Sequence, residues 1–110
     1  MEVNSLSREP YVRRLLDAYR RTPGTTGIVR RADHLLAAQL HQRGVPLPVV
    51  ENALVLAAAR RLFRPHTLPP LTTVRSLAYF LPVIEEVLEL KVSDDYFQHI
   101  RHRLQRWRSA

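Results

Sequence analysis

The sequence contains no cysteine and only three glycines. Without cysteine, disulfide bonds, thiolate zinc sites and cysteine nucleophiles are excluded. No stretch approaches the 18 consecutive apolar residues typical of a membrane-spanning helix. The segment 1–10 is polar and lacks the apolar core of a signal peptide. These absences predict a cytoplasmic protein that does not contact a membrane.

The composition that remains is typical of a globular protein. The chain has 110 residues, 45% of them hydrophobic and 25% charged, which predicts a single helical domain over 1–110. No nucleophile elbow, phosphate-binding glycine loop or paired-carboxylate motif occurs. We therefore expect neither an enzyme nor a cofactor.

Helical periodicity predicts an all-α fold, a compact bundle of about five helices. The third helix is apolar nearly all round, which predicts a central position. In the second helix, we expect Leu35, Leu36, Ala38 and Leu40 to form the buried side. The predicted helices cover residues 8–21, 28–43, 48–63, 72–90 and 93 to near the end.

Proline and glycine mark the breaks between these helices. Gly44 occupies a position after the second helix that favours a left-handed residue. The Pro-rich stretch 64–71 predicts an extended, stiff crossing loop. Pro82 lies inside the fourth predicted helix and should kink or split it.

Charge is the most informative feature of the composition. Lysine and arginine total 17 against 10 acidic residues, a net charge of +7, and Lys91 is the only lysine. Residues 8–31 carry seven arginines against Glu9 and Asp17, a net charge of +5, and residues 60–75 carry +4.

Arginine doublets at helix surfaces and ends predict contact with the phosphates of DNA or RNA, because affinity grows with the number of phosphates neutralised. A solvated polar surface is the alternative interpretation. The candidate binding residues are Arg13, Arg14, Arg20, Arg21, Arg30, Arg31, Arg60, Arg61, Arg64, Arg101, Arg103 and Arg106.

Two other patterns favour structural interpretations. The second and third predicted helices flank a short turn, as in a helix-turn-helix, but the later helix is apolar where a recognition helix is polar. A buried antiparallel pair of helices fits better. Asp95, His99 and His102 share one helical face, and a polar surface is favoured there over a metal site.

The chain also has more large apolar side chains than a domain of this size easily buries. Leu62, Phe63, Leu68, Leu71 and Trp107 could leave an exposed remainder that marks a partner surface. This surface supports a rival hypothesis, in which the chain docks on a larger assembly.

Residues 44–88 resemble the C-terminal DnaD-like domain of bacterial and phage replication-initiation proteins. The resemblance rests on Gly44-Val45, Ala53-Leu54 and the series Tyr79, Val83 and Val87. Val87 stands where that family has tryptophan, and Pro82 interrupts the motif helix. The resemblance implies a helical domain that binds DNA and assists primosome assembly. The leading hypothesis is a non-enzymatic accessory factor of replication or of a mobile genetic element.

Overall fold

The computed structural model describes residues 6–90 and 94–109, with the side chains of 6–89 and 96–106. The fold is all-α, as predicted, and within this described part it has five α-helices. They are α1 (Arg8–Arg21), α2 (Arg31–Gln42), α3 (Leu47–Leu62), α4 (Leu81–Leu90) and α5 (Asp94–Ser109), with a 3₁₀ helix (Leu77–Phe80) before α4.

Helix α3 occupies the centre of the bundle and packs against α1, α4 and α5. The prediction for this helix is confirmed, because its apolar residues on several sides find partners at once. Pro48 lies in its first turn, where a missing N–H costs nothing. Its buried residues are Leu47, Val50, Ala53, Leu54, Leu56, Ala57, Ala58 and Ala59.

Helices α1 and α2 form an antiparallel hairpin. Tyr11 near the start of α1 stacks edge-on against His41 near the end of α2, with ring centroids 4.9 Å apart. The Tyr11 hydroxyl also donates to the carbonyl oxygen of Val45, just before α3, at 2.7 Å. Helix α1 therefore starts beside the start of α3. At the other end, Arg61 of α3 lies close to Gly24, just after α1, so the two helices run in the same general direction.

The turn between α2 and α3 has the geometry expected from Gly44. This glycine has a φ of +77°, its N–H donates to His41 O at 3.0 Å, and the Val45 N–H donates to Leu40 O at 3.1 Å. This pair of bonds is a Schellman motif. The predicted antiparallel pairing of α2 with α3 is wrong, because in the described residues α2 packs mainly on α1 and on the 3₁₀ helix.

The predicted start of the second helix near Ile28 is also wrong. Residues 28–30 are not helical, and α2 begins at Arg31. The buried carboxylate of Asp33 explains the boundary, because its Oδ2 accepts the Arg30 N–H at 2.8 Å. An acidic side chain at the third helical position satisfies a donor that the helix itself leaves unpaired.

The buried side of α2 differs from the prediction as well. Its buried residues are Asp33, Ala37 and Leu40. Leu36 and Ala38 are half-buried, and Leu35 is 54% exposed. Of the four residues expected on that side, only Leu40 is fully buried.

The fourth predicted helix is split, as Pro82 indicates, but it does not start at Thr72 or Thr73. Residues 72–76 are not helical, and Val74 forms an isolated parallel β-bridge with Thr25 through Thr26 N–Val74 O (3.0 Å) and Val74 N–Gly24 O (2.8 Å). Because proline has no N–H and crowds the carbonyl four residues earlier, the turn before Pro82 is a 3₁₀ helix.

Helix α5 packs on α3 through Phe97, Ile100 and Leu104, which are buried. Its predicted start at Ser93 and the side chain of Trp107 lie outside the described residues. In the described part of the chain, no helix combines the length and the apolarity needed to cross a membrane.

Candidate nucleic-acid interface

Three arginine doublets meet at one end of the bundle. Because α1 and α3 run in the same direction and α2 runs against them, the ends of α1 and α3 lie beside the start of α2. Arg61 near the end of α3 approaches Gly24 in the turn between α1 and α2. This end of the molecule, here called the basic end, carries Arg20, Arg21, Arg30, Arg31, Arg60 and Arg61.

The arginines of α1 occupy two sides of one exposed helix surface. Arg13 and Arg20 face the groove between α1 and α2, and Arg21 faces the groove toward α3 and α5. Arg14 lies on the Arg21 side, since residues seven apart share a helical face. Asp17 lies between the two sides, where it pairs with Arg20, and its carbonyl oxygen accepts from Arg21 Nε at 3.3 Å.

Arg30 and Arg31 stand at the start of α2, and both are exposed. A cation at a helix N-terminus meets the positive end of the helix dipole, so helix stability does not explain these two residues. The same location favours an anion such as phosphate. Among the described residues, the guanidinium groups of Arg13, Arg14, Arg30 and Arg31 make no ion pair and no hydrogen bond.

Asp33 fixes the backbone that carries this pair of arginines. Its carboxylate is 2% exposed and accepts two backbone N–H groups, from Arg30 through Oδ2 at 2.8 Å and from Leu77 through Oδ1 at 2.9 Å. The start of α2 is therefore tied to the 3₁₀ helix. Because these hydrogen bonds already hold the backbone at the start of α2, a phosphate that binds Arg30 and Arg31 does not have to order it.

The buried hydroxyl of Tyr19, in the last turn of α1, lies close to the start of α2. Burial raises the pKa of Tyr19, as does the nearby carboxylate of Asp33, whereas the charge of Arg30 opposes this shift. Within the described residues, this hydroxyl has no hydrogen-bond partner. Arg30 is exposed, yet its charge is close enough to influence the pKa of the buried Tyr19 hydroxyl.

The arginines of α3 are bonded to the protein itself. Arg60 forms a two-bond ion pair with Glu86 of α4, which raises the pKa of Arg60 and lowers the pKa of Glu86. Arg61 donates to the Tyr79 hydroxyl at 3.1 Å and to Thr72 O at 2.7 Å. These contacts fix the two guanidinium groups and use two of the five N–H donors of each, which leaves them less available to a phosphate.

Of the remaining candidate arginines, some contact other parts of the protein and one is exposed. Arg64 donates to Pro69 O at 3.2 Å, and Arg101 donates to the Asn52 side chain at 2.6 Å. Arg103 stacks over the ring of Phe63, with Cζ 4.3 Å from its centroid. Arg106 is exposed near the end of α5.

Three relevant residues lay outside the candidate set. Arg8 also faces the α1–α2 groove, and its place in the +5 segment was a usable signal. Arg43 pairs with Glu85 through Nη2–Oε1 at 2.9 Å. Asp33 is separated from Leu77 by 44 positions, so no local pattern could predict that contact.

The apolar remainder predicted for the Pro-rich stretch is partly confirmed. Phe63, Leu68 and Leu71 are exposed, and Leu62 is half-buried. The side chain of Asp95 lies outside the described residues, so the spacing with His99 and His102 stays a prediction. Among the residues that the structure does describe, no three His, Asp or Glu side chains form a group that could hold a metal ion.

Comparison with protein-family models, with curated proteins and with solved structures finds no match for this chain.

Proposed function

We propose that this protein binds nucleic acid through phosphates, using the exposed arginines of α1 and α2. The observation that carries the proposal is the exposed pair Arg30 and Arg31 at a helix N-terminus, whose guanidinium groups make no ion pair or hydrogen bond within the described part of the chain. Cations do not stabilise a helix at its N-terminus. The two backbone hydrogen bonds accepted by the Asp33 carboxylate hold the backbone around Arg30 and Arg31.

The neighbouring arginines extend this site over several phosphates. Arg20 and Arg21 end α1 beside the start of α2, and Arg13 and Arg14 continue along the exposed surface of α1. Arginine binds phosphates whatever the base sequence, and the proposed binding is therefore independent of sequence. The setting proposed is replication or a mobile genetic element, and it rests on the resemblance of residues 44–88 to the DnaD-like domain.

The test is a titration of labelled single- and double-stranded oligonucleotides over a series of salt concentrations. On duplex DNA, the logarithm of the binding constant should fall with the logarithm of salt concentration by about 0.9 per phosphate contacted. The double variant Arg30→Gln/Arg31→Gln should bind unrelated sequences more weakly, with a slope shallower by about one to two.

A matched control removes the same charge elsewhere. In Arg43→Gln/Arg60→Gln the two lost guanidinium groups are those paired with Glu85 and Glu86. This control should keep most of the slope. Equal losses in both double variants would show that only net charge matters, and no binding at low salt would overturn the proposal.

A second candidate function has its own support. Phe63, Leu68 and Leu71 are exposed around the Pro-rich stretch, and such apolar surface is typical of contact with a protein partner. In this hypothesis the chain docks on a larger assembly, and the isolated protein binds oligonucleotides weakly and without dependence on Arg30 and Arg31.

A further inference from the structure

An open groove runs between α1 and α2 on the outside of the bundle. Its volume is about 680 Å³. The apolar residues that line it are Val12, Leu16, Val29, Leu35 and Ala38. The two most exposed large hydrophobic residues in the described chain belong to this hairpin, Ile28 at 58% and Leu35 at 54%. Phosphates gain nothing from these side chains, so the proposed function leaves the groove unexplained.

The position of Leu35 on α2 shows that the groove is not simply an edge of the core. The core side of α2 is formed by Asp33, Ala37 and Leu40, and Leu35 lies on roughly the opposite side of the helix. Leu35 therefore contributes its apolar area to the groove rather than to the folded core.

The length of the groove fits a short helix. It follows α1 from Arg8 to Arg20, a distance of about 18 Å at 1.5 Å per residue. A third helix laid along two antiparallel helices would bury an apolar stripe with i, i+3 or i+4 and i+7 spacing. About three turns would fill the groove.

The charged residues around the groove indicate which kind of partner helix would bind there. Arg8, Arg13 and Arg20 stand along the groove, and Arg30 and Arg31 lie at one end of α2. Of the two acidic residues that line it, Asp17 is already paired with Arg20, and Glu9 is left to face the arginines. With a net charge of +7, a second copy of this chain would be repelled, whereas an acidic partner would be attracted.

We infer that the α1–α2 groove is a docking site for an acidic amphipathic helix of a partner protein. Leu35 is the central apolar contact, and the arginines of α1 attract the acidic residues beside the apolar stripe of the partner. The inference does not rest on nucleic-acid binding, since Leu35 takes no part in contacts to phosphate.

The experiment uses the full chain and three fluorescein-labelled peptides. The first has about four turns, with leucine at i, i+3 or i+4 and i+7 spacing on a background rich in glutamate. The second has the same composition in an order without an apolar stripe. The third replaces every glutamate of the first by lysine. We expect the first peptide to bind with one-to-one stoichiometry and at least ten times more tightly than the other two.

Two substitutions locate the binding site. Leu35→Gln should weaken binding of the first peptide at least tenfold. Leu68→Gln is the matched control, because Leu68 is 47% exposed but lies on the Pro-rich stretch outside the groove, and it should leave binding unchanged. Both variants replace exposed side chains, and the folded state should be retained.

Four results would overturn the inference. They are equal binding of the ordered and reordered acidic peptides, an unchanged affinity in Leu35→Gln, no binding of the first peptide at about 1 mM, and self-association of the chain that Leu35→Gln abolishes. Leu35→Gln should also leave oligonucleotide binding and its salt dependence unchanged. If Leu35→Gln weakens oligonucleotide binding as much as peptide binding, the groove binds nucleic acid rather than a partner helix.

Discussion

The α1–α2 hairpin and the half of the molecule built on α3 use the same residue type in different ways. In the α3 half, Arg60, Arg61 and Arg64 are each bonded to another part of the chain. In the hairpin, Arg30 and Arg31 are exposed and unbonded among the described residues. Two segments with net charges of +5 and +4 thus look alike in the sequence, yet only one presents most of its charge to a ligand.

The reason lies in the partners that each half supplies. Helix α4 carries Glu85 and Glu86, which reach Arg43 and Arg60. The hairpin exposes Asp17 and Glu9 and buries Asp33. A buried carboxylate occupied by backbone N–H groups does not neutralise surface arginines, so the charge of the hairpin stays available.

The largest expected effect comes from breaking the link between the two halves at Asp33. Asp33→Ala leaves the N–H groups of Arg30 and Leu77 without their acceptor, and should lower the free energy of unfolding by about 3 kcal/mol. Urea denaturation measures this loss. The control Asp17→Ala, which removes an exposed carboxylate of the same hairpin, should cost less than about 1 kcal/mol. Equal losses would mean that Asp33 does not join the halves.

An intermediate effect is expected at Tyr11, the second contact between the halves. Burial raises the pKa of Tyr11 to about 12, although the charge of Arg43 lowers it in part. Because the folded value lies above the usual value of 10.0, the folded state favours the neutral phenol. Its contribution to stability is therefore complete below pH 10 and is lost as the pH rises toward 12.

The measurement follows phenolate absorbance together with far-ultraviolet circular dichroism during an alkaline titration. Tyr11→Phe should lose this part of the pH dependence. It should also be about 1 kcal/mol less stable at neutral pH, since the hydrogen bond to Val45 O is absent. Tyr79→Phe, a change at an exposed phenol, is the control for the alkaline titration alone, because its hydroxyl accepts a hydrogen bond from Arg61. A Tyr11→Phe protein with the same alkaline transition as the wild type would contradict the assignment.

The smallest effects compare single arginines of the two halves. Arg61→Gln removes bonds to Tyr79 and Thr72 and should lower stability by about 1 kcal/mol. Arg31→Gln should change stability by less than about 0.5 kcal/mol. Thermal denaturation of both variants tests the comparison directly. A greater loss in Arg31→Gln would show that the hairpin arginines are structural.

The features that depend on short-range interactions could be predicted from the sequence. Helical periodicity predicted five helices and the central place of α3, and the left-handed Gly44 ended α2 where expected. Pro82 divided the fourth segment because the loss of an N–H acts within one turn. The all-α fold class could be predicted in this way, whereas the candidate arginines stay a prediction, and Arg8 in the α1–α2 groove was missed.

The start of the 3₁₀ helix at residue 77, the exposure of Leu35 and the difference between bonded and unbonded arginines could not be predicted, because each depends on a contact between distant parts of the chain. The start of α2 at residue 31 instead follows from the local hydrogen bond between Arg30 N–H and Asp33. Asp33 meets Leu77 across 44 positions, and Arg60 meets Glu86 across 26. Periodicity reports which residues share a helical face, but the orientation of that face is set by packing against the other helices. Among the described residues of the hairpin, the guanidinium groups of Arg13, Arg14, Arg30 and Arg31 are therefore left for a ligand, because Asp17 is paired with Arg20 and Asp33 with backbone N–H groups.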